Sequence, residues 1–173
     1  VPISKVYKEE QSYQISDAEY CYILETLKHM GSTYERTPRS YKCLQEEDLR
    51  NILLAALNGM YKGGATGEAF RNNGKTDICI EKDNRAAFVA ECKMWTGTAA
   101  IPSAIEQLVK YLTWRDCKTA LIFFVRNRDF LGAIDSATDA LRKFSLMREI
   151  NAVDKNEFDC IIYSALNNGQ LIK

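Results

Sequence analysis

The chain holds a single histidine, His29, and none of its six cysteines stands in a C-x-x-C pair. Zinc knuckles need Cys and His at short spacings, and Ser-His-Asp or Cys-His catalysis needs a placed imidazole. Both chemistries are excluded, because His29 falls in a helical pattern as a solvent-facing residue. An excess of one charge is also missing, since 23 Lys and Arg balance 23 Asp and Glu. Any affinity for phosphates must then come from local clusters of cations, which normally supply most non-specific nucleic-acid binding. No apolar run approaches the roughly 20 residues of a membrane-spanning helix. There is no low-complexity segment, internal repeat or signal-peptide pattern. The cysteines, Cys79 and Cys92 among them in apolar runs, behave as small hydrophobes and point to a reducing cytoplasm.

A length of 173 residues suits one domain with a sizeable core. The pattern predicts a helical extension over 1–43 and one compact domain over 44–173. The start at Val1-Pro2-Ile3, without Met, suggests a piece of a longer protein with an upstream partner domain.

The most informative stretch is Gly74-Lys75-Thr76-Asp77-Ile78, followed after a polar turn at 81–85 by Phe88-Val89-Ala90-Glu91-Cys92-Lys93. Side chains alternate along a strand, so Glu91 and Lys93 leave one face together and Cys92 the other. A hairpin through Asp83-Asn84 brings Asp77 close to both. Two carboxylates and an ammonium at the end of a sheet can hold Mg2+, with Mn2+ able to substitute, and can activate a water. An ordinary surface ion pair is the competing reading. The apolar neighbours Ile78, Cys79 and Ile80 weigh against it, because a charge buried there must be paired or coordinated.

Upstream, 45–59 reads as a helix with Leu49, Leu53, Ala56 and Leu57 on one stripe and acids in its first turn. Those acids complement the helix dipole. Glu46 shares the stripe that faces the sheet and so can reach a metal, with Glu47 as its competitor. Downstream, 101–113 reads as a helix opened by Pro102-Ser103, and Gln107 and Tyr111 are neighbours on one side of it. A continuously apolar strand over 119–125 follows, as befits a central buried position.

The order helix, three strands, helix, strand, with acids on the first helix and on the second and third strands, resembles the PD-(D/E)XK nuclease superfamily. Its Asp, Glu-x-Lys and first-helix Glu positions fall on Asp77, Glu91, Lys93 and Glu46 or Glu47. Gln107-Leu108-Val109-Lys110-Tyr111 is similar to the QxxxY element of the RecB-like branch. No Pro precedes Asp77, a departure from the family's name that many members share. The resemblance covers about residues 44–130. It implies an α/β restriction-endonuclease-like core, α-β-β-β-α-β, with a mixed sheet flanked by helices. It further implies an Mg2+-dependent phosphodiesterase, endonucleolytic ahead of exonucleolytic, acting on DNA in bacterial restriction or anti-phage defence. Asp77, Glu91, Lys93, Gln107 and Tyr111 would be the catalytic set and Asp77, Glu91 and Glu46 or Glu47 the metal ligands. A binding or effector-sensing module that lost catalysis, and an RNase on the same scaffold, remain open alternatives.

Arg71 and Lys75 flank Asp77, and with Gln107, Tyr111 and Arg115 they form the expected nucleic-acid contacts. Glu68 is read as an ion-pair partner of Arg71 or Lys75, and Trp95 as a residue that closes the core. In the flanks, a helix over 17–30 is capped by Ser16 or Asp17 and stopped by Gly31. Another helix covers 133–144, and strands over 158–163 and 170–173 join through Asn167-Asn168-Gly169. That last pair can extend the sheet or form the edge of a homodimer.

Overall fold

A computed structural model of the chain describes residues 14–60, 77–82, 85–112, 117–164 and 170–172. The expected first core strand with Glu68, the contacts Arg71, Lys75 and Arg115, and both hairpin turns lie outside these residues. Within them the fold is mixed α/β, with five helices and two small sheets.

Helix α1 (Asp17–Arg36) starts at a capping box in which Ser16 Oγ accepts from the Glu19 N–H at 3.1 Å and Glu19 Oε2 accepts from the Ser16 N–H at 2.7 Å. It does not stop at Gly31 as expected. A side chain there would meet nothing within 4 Å, so the glycine marks open solvent rather than a required turn. The helix continues because Tyr34 is useful: its hydroxyl donates to Leu49 O at 3.0 Å and its ring packs on Tyr41 and Phe124. It ends at Thr37, before Pro38, where the α conformation is disfavoured. A short turn of helix, α2 (Pro38–Tyr41), leads to α3 (Glu46–Met60).

Strands β1 (Ile78–Lys82) and β2 (Arg85–Met94) form an antiparallel pair in which Ile78 faces Ala90. Helix α4 (Ala100–Tyr111) then carries the chain over to β3 (Lys118–Phe124), parallel to β2, with Glu91 beside Leu121 and Lys93 beside Phe123. Gly97, at a φ of 121°, makes the turn out of β2, a backbone region that favours glycine. The sheet is covered on both sides, which explains its unbroken apolar runs. One face packs Ile78, Ile80, Phe88, Ala90 and Cys92 against Ile23 of α1 and Leu49, Leu53 and Leu57 of α3. The other packs Cys79 and Val89 against Leu108 and Leu112 at the end of α4.

The helix α5 (Phe130–Lys143), capped by Asp129 on the Gly132 N–H at 2.9 Å, lies beside the second sheet of β4 (Met147–Asp154), β5 (Glu157–Ser164) and β6 (Gln170–Ile172). This sheet is antiparallel throughout, in the order β4-β5-β6. Its last two strands were expected and β4 was not. Trp95 closes the core between the two parts, edge-on to Phe123 at 5.5 Å.

Helix α1 packs on the sheet of β1, β2 and β3. Ile23 is wholly buried, and Tyr20 donates to Thr119 O of β3 at 2.6 Å. Lys28 on α1 pairs with Asp154 and Glu157 across the β4-β5 turn.

Candidate active site

Asp77 stands one residue before β1, so the register that pairs Ile78 with Ala90 sets it opposite Glu91. Its Oδ2 accepts from the Cys92 N–H at 2.8 Å and its Oδ1 from Arg50 Nη1 at 3.1 Å. A backbone donor on one oxygen and a guanidinium on the other fix the carboxylate plane.

Glu91 occupies the face of β2 shared with Val89 and is closed off from solvent. Lys93, two residues on, places Nζ 2.8 Å from Glu91 Oε1. The approach suits an ion pair but is not aligned as a hydrogen bond, and both Glu91 oxygens lack a hydrogen-bond partner among the described residues. Burial therefore raises the Glu91 carboxyl above its usual range. Lys93 opposes this, while the charges of Asp77 and Glu46 reinforce it. For Lys93, burial acts to lower the ammonium pKa, but Glu91, Glu46 and Asp77 outweigh it and the net shift is upward.

The ambiguity between the two first-helix acids is resolved geometrically. Glu46 reaches across the end of β2, accepts from the Met94 N–H at 2.6 Å through Oε2 and sets Oε1 3.8 Å from Lys93 Nζ. Glu47 is exposed. Glu46 can do this because the first turn of α3 overhangs the strand end, while Leu49 and Leu53 anchor the helix below.

The structure thus brings together Glu46, Asp77, Glu91 and Lys93. Gln107 and Tyr111 are both half-buried on α4, with Tyr111 packed among Cys79, Val89 and Leu112. Gln107 does not hydrogen-bond Glu91. Lys118 pairs with Asp17 at 2.6 Å at the other end of the sheet, whereas Arg126 and Arg128 are exposed just past the end of β3. Sequence reasoning missed Arg50. The signal was present, since it follows Glu46 by four residues and so shares its helical face.

The donor set suits a hard divalent cation, which takes oxygen ligands and keeps several waters. The buried Glu91 carboxylate, with Lys93 at Oε1 and no partner for Oε2, is the feature such an ion would satisfy. Asp77, Glu91 and Glu46 are the residues that would hold it. As they stand, no three His, Cys, Asp or Glu among the described residues are gathered into a metal-holding group, and each acid leans toward a cation or a backbone N–H instead. A cavity of about 310 Å³ lies just beyond β2, between Trp95, Thr98, Asn127 and Ser136, and none of the acids lines it. No helix among the described residues is long and apolar enough to cross a membrane. Comparison with protein-family models, with curated proteins and with solved structures finds no match.

Proposed function

We propose that this chain is a metal-dependent deoxyribonuclease, with Asp77, Glu91 and Glu46 holding Mg2+ and Lys93 beside the attacking water. The observation that carries the reading is the buried Glu91 carboxylate, paired through Oε1 with Lys93 and with no partner for Oε2, flanked by Asp77 and Glu46 at one strand end. A fold that needed only stability would not keep an acid there, because a buried carboxylate without hydrogen bonds is costly. The order α3, β1, β2, α4, β3 adds support, since it is similar to the restriction-endonuclease-like order apart from one strand, which was expected at residues outside the described ones.

When bound, the cation would lower the pKa of its water and neutralise charge on the phosphate. The chain's own residues supply the rest. Asp77 is anchored by the Cys92 N–H and Glu46 by the Met94 N–H. Lys93, held 2.8 Å from Glu91, supplies a positive charge toward the phosphate and the attacking water. Gln107 is the residue of α4 assigned to the scissile strand, and Tyr111 holds that helix on β1 and β2. Internal cutting, a cytoplasmic setting in restriction or anti-phage defence, and a homodimer are proposed with it on the resemblance alone.

The test is cleavage of labelled single- and double-stranded DNA and RNA with Mg2+, Mn2+ or EDTA, alongside Lys93→Ala. Cutting of DNA that requires metal and disappears in the variant is the expected result. Cutting in EDTA, or by Lys93→Ala at the wild-type rate, overturns it. The ungathered acids favour one second reading, a nucleic-acid-binding module without catalysis, which predicts binding with no cutting in any metal.

A further inference from the structure

Arg50 is the cation whose position the reaction scheme above leaves underused. It leaves α3 on the same face as Glu46, and its Nη1 lies 3.1 Å from Asp77 Oδ1, both side chains being 15% exposed. On its other side Asn51 Oδ1 lies 3.4 Å from Nε and 3.3 Å from Nη2. The guanidinium is therefore braced between an acid of the site and a neutral amide on its own helix. Lys93 is paired with Glu91 in the same way that Arg50 is paired with Asp77. The two innermost acids each have one monovalent cation close to where a divalent ion would sit.

We propose that Arg50 is a built-in counter-ion, which neutralises Asp77 until a divalent cation displaces it and then turns its guanidinium to a phosphate oxygen of the bound strand. This rests on the nuclease reading of the site. A guanidinium cannot shed its charge to make room, because it stays protonated at any ordinary pH. It must move or be repelled when a doubly charged ion arrives at Asp77. Its planar fork suits phosphate, and Asn51 offers a neutral hinge about which it can leave Asp77 without losing every partner. Were Arg50 only a brace that aims Asp77 at the metal, its removal would weaken metal binding. A counter-ion predicts the opposite sign.

The experiment titrates Mn2+ into the metal-free protein by calorimetry, for wild type, Arg50→Gln and Asp77→Asn. It then measures the salt dependence of binding to one oligonucleotide for the first two. Arg50→Gln is expected to bind Mn2+ about tenfold more tightly than wild type, a difference of about 1.4 kcal/mol. Its plot of log affinity against log salt should be shallower by about 0.7 to 0.9, the loss of one phosphate contact. Asp77→Asn should lose Mn2+ binding. Unchanged or weaker Mn2+ affinity in Arg50→Gln, or an unchanged salt slope, overturns the proposal. Arg50→Met, which keeps the aliphatic stem, carries the same two readouts if Arg50→Gln does not fold. Both shifts without cleavage by wild type sink the nuclease reading and leave Arg50 as assigned. Cleavage by wild type without the shifts does the reverse, and no Mn2+ binding by any variant overturns both.

Discussion

Lys93 Nζ lies 2.8 Å from Glu91 Oε1, yet the carboxylate it pairs with is shut off from solvent while the Lys93 side chain is 26% exposed. The pair is asymmetric. The lysine keeps part of its hydration, whereas the glutamate has exchanged water for one ion pair and no hydrogen bond. Breaking such a pair from the lysine side is worse than removing the buried charge itself.

Glu91→Gln is therefore expected to stabilise the metal-free protein near pH 7 by about 1 kcal/mol, or about 2–4 °C in melting temperature. Burial raises the Glu91 carboxyl, against the pull of Lys93 and with help from Asp77 and Glu46. A carboxyl raised in the folded state stabilises the fold while protonated, below its ordinary range, and that contribution is lost as pH rises through the raised value. The advantage of the variant should thus grow from acid toward neutral pH. Melting curves across that range check it, and a Gln variant that is less stable than wild type at neutral pH would refute the claim of an uncompensated buried charge.

Glu46 and Glu47 are adjacent in sequence and unequal in space. Glu46→Gln loses the charge beside Lys93 and weakens the bond to Met94 N–H, while Glu47 faces solvent. Cleavage should fall about a hundredfold or more in Glu46→Gln, on the scale of losing one electrostatic group at a reaction centre. In Glu47→Gln it should stay within about twofold. Equal losses in initial-rate assays would mean that α3 enters the site by its other face.

The parts of this fold that were legible in the sequence are those where burial imposes a pattern. The stripe of α3, the apolar runs of β1, β2 and β3, and the face of α4 all pack against something, and their periodicity says so. The Asp77, Glu91 and Lys93 grouping was legible for the same reason, since charges on apolar strands stand out. β4 was not, because most of its residues are exposed and it carries no alternation to read. The extension of α1 past Gly31 depends on Tyr34 reaching Leu49 and Phe124, contacts between distant segments. Glu46 already stood on the sheet-facing stripe and Arg50 one turn beyond it, but their partners, the Met94 N–H and Asp77, are set by contacts between distant segments.

Helix α1 belongs to the core in energetic terms. Ile23 is buried among Leu53, Ile80 and Phe88 within one apolar cluster, and Tyr20 ties α1 to β3. Ile23→Ala should cost about 2–4 kcal/mol and Tyr20→Phe about 1 kcal/mol in denaturant unfolding. A fragment spanning 44–173 should lose its cooperative transition, because it uncovers one face of the sheet. A fragment that melts as sharply as the whole chain would make 44–173 a domain that folds without α1.

A divalent cation that binds only the folded state must raise its stability. At a concentration about a hundred times its dissociation constant, the gain is about 2.7 kcal/mol, or about 5–10 °C in melting temperature for a domain of this size. Asp77 is the residue through which this should act, being the acid that the Cys92 N–H anchors opposite Glu91. Asp77→Asn keeps the side-chain volume and the backbone hydrogen bond but has no charge to offer. It should fold, melt near the metal-free wild type, and show no rise with Mg2+ or Mn2+. Wild type should rise with either ion and return to its starting point in EDTA. An equal rise in Asp77→Asn would place the cation elsewhere on the molecule and remove the acid cluster from the chemistry.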